Sequence, residues 1–264
     1  MAIVAAAFVS HSPLLLPTTK ATHAKRLADL HNAMDRAMEH LYAAKVDSII
    51  AFSPHALQVG NTFTFNLSPT LEAHFDDFGD VSTVAHATGD PSFGYRLKEQ
   101  LEALLPVSAV HDPRLNYGSG IPMLFLNALP TKPRWVNIST RLSTLDEHIR
   151  FGVALQEELQ NTTHRIGILA SGDLTARFSD AAPQGKHPKA ETFVQAWHAA
   201  LQAHTLPSFL RSCSAEQIQD LGACGAWSMA QLLGSINSLQ MHHQEHYAAA
   251  PYGVAYSVVT WTPA

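Results

Sequence analysis

An α/β fold is predicted, one domain over residues 1–264 with a mostly parallel, twisted central sheet and helices on both faces. Three observations predict it. Short apolar runs alternate with stretches of helical periodicity, two of those runs end in the same Ser/Pro/His device, and the bulk composition fits. With 264 residues, 46% of them hydrophobic and 15% charged, the chain can bury a large core and needs no metal or disulfide scaffold to fold.

Each element follows in chain order. Residues 2–9 are apolar without alternation, as a strand buried on both faces should be. Ser10-His11-Ser12-Pro13 ends that strand, because proline has no N–H for a ladder, and leaves His11 on a strand-end loop. Leu27, Leu30, Met34, Met38 and Leu41 recur at helical spacing and predict a long amphipathic helix over 21–44. Residues 48–52 form a second strand, stopped by Ser53-Pro54-His55. Two strands joined by a helix lie parallel, and parallel sheets bind ligands at their carboxyl ends. His11 and His55 are therefore expected on one edge of the sheet.

Further strands are expected at 62–67, 106–110, 134–138 and 165–170, and helices at 91–105, 121–129 and 144–160. Helices are expected to dominate 189–239, and a closing strand rich in Val, Tyr and Thr to run over 252–261. No internal repeat or low-complexity linker divides the chain.

Several function classes are disfavoured. A net charge of −5 does not suit a phosphate-backbone surface, so no nucleic-acid partner is expected. Two cysteines, Cys213 and Cys224, are too few for a disulfide framework and suit a reducing cytosol. The apolar start, residues 1–16, lacks a basic region and is broken by Ser10 to Pro13, so it reads as a strand and not a signal peptide. No run approaches the ~20 apolar residues of a membrane span. A cytoplasmic protein is expected, with no membrane contact. Gly167 and Gly172 flank no phosphate-cradling motif, and nucleotide binding has no support.

The chain has 16 histidines, so position and not number selects candidates. Neutral imidazole is the commonest metal ligand, and the rigid strand ends single out His11 and His55. His242, His243 and His246 are placed near a helix end, where cations suit the dipole. Trp197, Trp227 and Trp261 read as core aromatics, and Asp76 with Asp77 as a solvated turn.

Phe8-Val-Ser-His-Ser-Pro-Leu-Leu-Leu-Pro17 resembles the first metal-ligand motif of the LigB-like (class III) extradiol dioxygenases, and Phe52-Ser-Pro-His-Ala56 resembles their second. Weaker matches follow in the family's order: Phe75-Asp-Asp-Phe-Gly79, Gly89-Asp-Pro91, Asn116-Tyr-Gly118, Ile121-Pro-Met123, Ala170-Ser-Gly-Asp-Leu174 and Ala250-Pro-Tyr-Gly-Val254. The resemblance implies two histidines and a glutamate holding Fe(II), with positions left for a catechol and for dioxygen. It implies a small aromatic diol or aminophenol as substrate, cleaved beside the diol while acid/base groups manage protons.

This chain departs from the pattern at three places. Tyr117 stands where relatives carry histidine in Asp-His-Gly, and Ala176 where many carry the histidine of Gly-Asp-Leu-Ser-His. Ala223 stands where many place the glutamate before Cys-Gly. Cys224 is the candidate third ligand beside His11 and His55, as in the similar Memo branch, whose aspartate Asp173 matches. Against this, Cys224 reads equally as a small buried hydrophobe at a helix start. Tyr117 and Asp173 are the candidate proton-handling groups. Fe(II) is the expected metal, with zinc or copper favoured if the thiolate binds. The alternative is a catalytically silent homologue that binds metal or a partner, or serves as a non-catalytic subunit. Zinc-dependent hydrolysis is a third reading. A homodimer or a heteromeric partner is compatible with the sequence.

Overall fold

The computed structural model describes residues 2–130 and 132–264, including every side chain among them but those of 20 and 21; Met1, at the head of the first apolar run, lies outside the described residues. The chain runs β1 (Ile3–Val9), α1 (Pro17–Ala43), β2 (Ser48–Ser53), β3 (Phe63–Asn66), β4 (Thr70–Phe75) and β5 (Asp80–Thr88). It continues through α2 (Pro91–Leu101), β6 (Val107–Val110), β7 (Arg114–Leu115), α3 (Tyr117–Asn127), β8 (Arg134–Ser139), α4 (Leu145–Leu159) and β9 (Ile166–Ser171). The last third is α5 (Ala190–Gln202), α6 (Leu206–Ser212), α7 (Ala215–Asp220), α8 (Gly225–Ser235), β10 (Met241–Ala249) and β11 (Tyr256–Pro263).

The main sheet has eight strands in the order β10-β11-β1-β9-β2-β8-β3-β6. Its centre, β1-β9-β2-β8, is parallel. The flanks make it mixed, because β11 joins β1, β10 joins β11 and β3 joins β8 antiparallel. Strand β9 lies between β1 and β2, so the loops after all three leave the same edge side by side.

Alternate residues of the central strands feed two separate cores. Phe8, Ile50, Phe52, Ile138 and Ile168 pack toward α2 and α4 to α8. Ala5, Ala7, Val9, Ile49, Ala51 and Leu169 pack toward α1, α3 and the small sheet. Burial on both faces is why these strands read as unbroken apolar runs. Trp197 and Trp261 are fully or nearly fully buried in the first core, with Trp227 at its border, as core aromatics should be.

Two parts of the sheet depart from the sequence reading. His242, His243 and His246 lie on the edge strand β10 and not near a helix end. An edge strand paired on one side and wetted on the other carries polar residues throughout, which hides its period of two. A second, three-stranded sheet, β5-β4-β7, was not expected at all. Most of its Thr, His, Glu and Ser residues are at least partly exposed, while Leu71, Ala73 and Phe75 of β4, Ala85 of β5 and Leu115 of β7 turn inward, too scattered to stand out as a run.

Helix α4 docks closely on α8, with Gly152 facing Gly234 at backbone contact. Also on α4, His148 is fully buried between the rings of Phe63 and Trp227. Its Nδ1–H donates to the Thr144 carbonyl at 2.9 Å and its Nε2 accepts the Arg141 N–H at 3.3 Å. Burial lowers its pKa from 6.5 to about 4. Below pH 6.5 the unfolded chain binds a proton that the folded one refuses, so stability falls as pH drops toward 4 and is untouched above 6.5. The loss expected by pH 5 is roughly 2 kcal/mol. Urea denaturation at pH 7.5 and pH 5 checks it, and in His148→Gln the part of the difference due to this side chain should vanish.

Candidate metal centre

The carboxyl ends of β1, β9 and β2 deliver His11, Asp173 and His55 to one edge of the sheet. His11 is 1% exposed, and its ring lies 4.9 Å, centroid to centroid, from that of His55. Cys224 arrives from elsewhere. It precedes the first residue of α8, and the backbones of Gly172 and Gly225 touch so closely that a Cβ on Gly172 would sit 2.1 Å from the Gly225 Cα. Across this contact the Gly225 N–H donates to the Asp173 carbonyl at 3.0 Å and the Asp173 N–H to Cys224 Sγ at 3.4 Å.

Ligand atoms of His11, His55 and Cys224 thereby lie within 4.8 Å of one another. Among the described residues no other group of three or more His, Cys, Asp or Glu converges in this way. His11 Nε2 is 3.6 Å from Cys224 Sγ and 3.7 Å from Asp173 Oδ2. Tyr117, the first residue of α3, is aimed by Asn116, whose side chain caps the helix by accepting the Gly118 N–H. Its hydroxyl lies 3.0 Å from His55 Nε2, with the two rings stacked.

The electrostatics are those of a pocket short of positive charge. Burial, and then the neighbouring His55, hold the pKa of His11 well below its ordinary value. Burial also lowers His55. It raises Asp173 to about 7, although 16% of that side chain stays exposed. Burial, then the facing Asp173, push up the Cys224 thiol, and burial, then Cys224 and Asp173, push up the Tyr117 phenol. Asp173 Oδ1 is buried with no hydrogen-bond partner. Unprotonated imidazoles and a cysteine sulfur, with an orphaned carboxylate oxygen beside them, are groups that a divalent cation would satisfy, so the residues present fit a metal.

Residues 5–259 match the family described as "Catalytic LigB subunit of aromatic ring-opening dioxygenase". The chain belongs to the LigB family. A curated relative, "Protein CA_C1420" of Clostridium acetobutylicum, is 20% identical over 259 residues, covering 94% of this chain and 55% of that protein. The chain thus spans about half the length of that relative. Among solved structures, the uncharacterized protein JW3007 from Escherichia coli K12 superposes with a TM-score of 0.64 over 97% of this chain and 99% of its own, at 17% identity. That likeness is one of fold.

The departures from the LigB pattern have visible surroundings. Ala223 is fully buried in the apolar core, and its neighbour Cys224 takes the inward-facing place beside His11. Ala176 packs against Gly222, whose added Cβ would lie 3.1 Å from the alanine methyl. Asp76 and Asp77 form the expected exposed turn, and with His74, Phe78, Arg114 and Tyr117 they line a cavity of about 330 Å³. Tyr117 is thus shared by the cavity and the His/Cys cluster.

Sequence reasoning missed Ser171, whose hydroxyl contacts His11 Nδ1 at 3.3 Å, and Tyr256, whose hydroxyl lies 3.0 Å from Ser12 Oγ. It missed the Gly172–Gly225 contact as well. Ser171 and Gly172 both sit in the Ala170-Ser-Gly-Asp-Leu174 motif, which was the available signal. Among the described residues no helix is long and apolar enough to cross a membrane.

Proposed function

We propose that His11, His55 and Cys224 bind one divalent transition metal, and that the chain is an extradiol-type oxygenase opening the ring of a small aromatic diol or aminophenol with dioxygen. The observation that carries the reading is the convergence of three donor side chains within 4.8 Å, beside an orphaned carboxylate oxygen, with Tyr117 linking this cluster to a cavity of about 330 Å³. When bound, the ion supplies electron transfer between ring and dioxygen, a redox step that no side chain here performs.

The chain's own residues position the substrate and move its protons. Tyr117, kept protonated by burial, donates a hydrogen bond to a substrate oxygen entering from the cavity, its aromatic face contributing to the wall. Asp173, whose pKa burial raises in the metal-free site, faces the cluster 3.7 Å from His11 Nε2 and is the group placed to take and return a proton there. Phe78 packs edge-on to Tyr117, with ring centroids 5.1 Å apart, and limits its swing.

Fe(II) is the ion this reading requires, and a thiolate in the donor set draws zinc and copper as competitors. Metal analysis of protein purified without a tag separates the three. The activity test uses protein loaded with Fe(II) without oxygen, mixed with catechols or aminophenols, and then exposed to oxygen. A yellow ring-opened product with matching oxygen uptake is expected, absent in His11→Ala and His55→Ala. Metal bound through His11, His55 and Cys224 without oxygen uptake would instead favour the silent homologue, which Tyr117 and Ala176 in place of the family's histidines also favour.

A further inference from the structure

The His11 ring is held from behind by a relay that begins in α3. Pro122 lies inside that helix and has no N–H, so the α-helical partner of the Gly118 carbonyl, four residues earlier, is missing. That carbonyl accepts instead from Ser171 Oγ, at 2.6 Å, at the end of β9. Ser171 is itself fixed, its own carbonyl accepting from Ser228 Oγ of α8 at 2.7 Å. A serine hydroxyl has one proton, and here a carbonyl that can only accept takes it. The 3.3 Å contact between Ser171 Oγ and His11 Nδ1 is then a hydrogen bond only if Nδ1 carries the hydrogen. A neutral imidazole has a single N–H, so its Nε2 is left with a lone pair.

We propose that Ser171 is a positioning residue whose hydroxyl locks His11 as the Nδ1–H tautomer and so presents the Nε2 lone pair toward Cys224 and the shared donor cluster. The lock works against a pull from the other side. Asp173 Oδ2, 3.7 Å from Nε2, would favour a hydrogen on that nitrogen, which would mask it as a ligand. Ser171 decides the contest because its single proton is committed to the Gly118 carbonyl, which leaves its oxygen able only to accept from Nδ1. Pro122 and Gly118 acquire a role here as well: the proline frees the carbonyl, and the glycine, whose Cβ would lie 2.6 Å from Ser53 Oγ, lets the start of α3 sit against the end of β2. The tautomer stands on geometry alone, while its consequence for metal binding rests on the ligand reading proposed above.

The test is long-range proton–nitrogen NMR on metal-free, histidine-labelled full-length chain, with His11 assigned by its loss in His11→Ala. Wild type is expected to show Nδ1 protonated and Nε2 bare, and Ser171→Ala to show mostly Nε2–H. Titration with zinc alone should then be weaker by about 10- to 100-fold in Ser171→Ala, the usual effect of removing a partner behind a ligating histidine. Nε2–H in the wild type, or the same tautomer in both proteins, would overturn the inference. The wild-type spectrum decides even if the variant does not fold. Wild-type protein that shows the expected tautomer yet takes up no zinc or iron would sink the metal reading and leave the lock standing.

Discussion

Replacing His11 by alanine is expected to abolish stoichiometric metal uptake, weakening affinity for iron or zinc by more than about 100-fold. Outer partners of ligating histidines are each worth about 10- to 100-fold, and a direct donor should exceed that. His11 is the pivot of the cluster for a geometric reason. It is the most buried of the donors, and its Nε2 makes the close approaches to both Cys224 Sγ and Asp173 Oδ2. Its removal leaves His55 and Cys224 as an incomplete pair on separate elements. Metal content after dialysis, with zinc titration calorimetry, measures the effect. His242→Ala is the matched control, because that histidine lies exposed on the edge strand β10. Metal that stays bound at one per chain in His11→Ala, and is lost in His242→Ala, would place the site elsewhere.

Gly172→Ala is expected to destabilise the fold by about 3 kcal/mol and to lower metal affinity in whatever protein still folds. The added methyl would sit 2.1 Å from the Gly225 Cα and 2.7 Å from its nitrogen. Both are backbone atoms at the start of a buried helix, so no side-chain rotation relieves the clash. Overpacking in cores costs about 1–3 kcal/mol, and a backbone-on-backbone clash belongs at the upper end. Relief requires α8 to back away from β9, which breaks the 3.0 Å bond from the Gly225 N–H to the Asp173 carbonyl and carries Cys224 away from His11. Chemical denaturation gives the stability and zinc titration the affinity. Gly185→Ala, at a turn with nothing within 4 Å of the new methyl, separates this clash from the strain of a positive φ, which Gly185 has and Gly172 lacks. Wild-type stability in Gly172→Ala would show that the two backbones are not locked together.

The two imidazoles were legible because each is fixed by local chemistry. A strand that ends in Pro within two residues of its histidine places that histidine whatever the rest of the chain does, and a helix between two such strands puts both on one edge. Tyr117 and Asp173 were legible only as members of ordered family motifs. Nothing in residues 172–176 says that a carboxylate there loses its solvent, and the helical period of α3 fixes a face but not the ring it touches. Cys224 was evenly balanced in sequence between ligand and packing residue, because its small apolar neighbours are compatible with either.

Sequence by itself determined the α/β class, the parallel centre of the sheet and the shared edge of His11 and His55, because strand burial and proline stops act over a few neighbouring residues. Tertiary structure decided the small sheet, the edge placement of β10, the arrival of Cys224 and the contact of Ser171 with His11. The last two depend on the pairs Gly172 with Gly225 and Gly118 with Ser171, whose partners lie about fifty residues apart in the chain and meet only once both helices have docked on the sheet. A glycine records that something must come close; which backbone comes close is settled by packing.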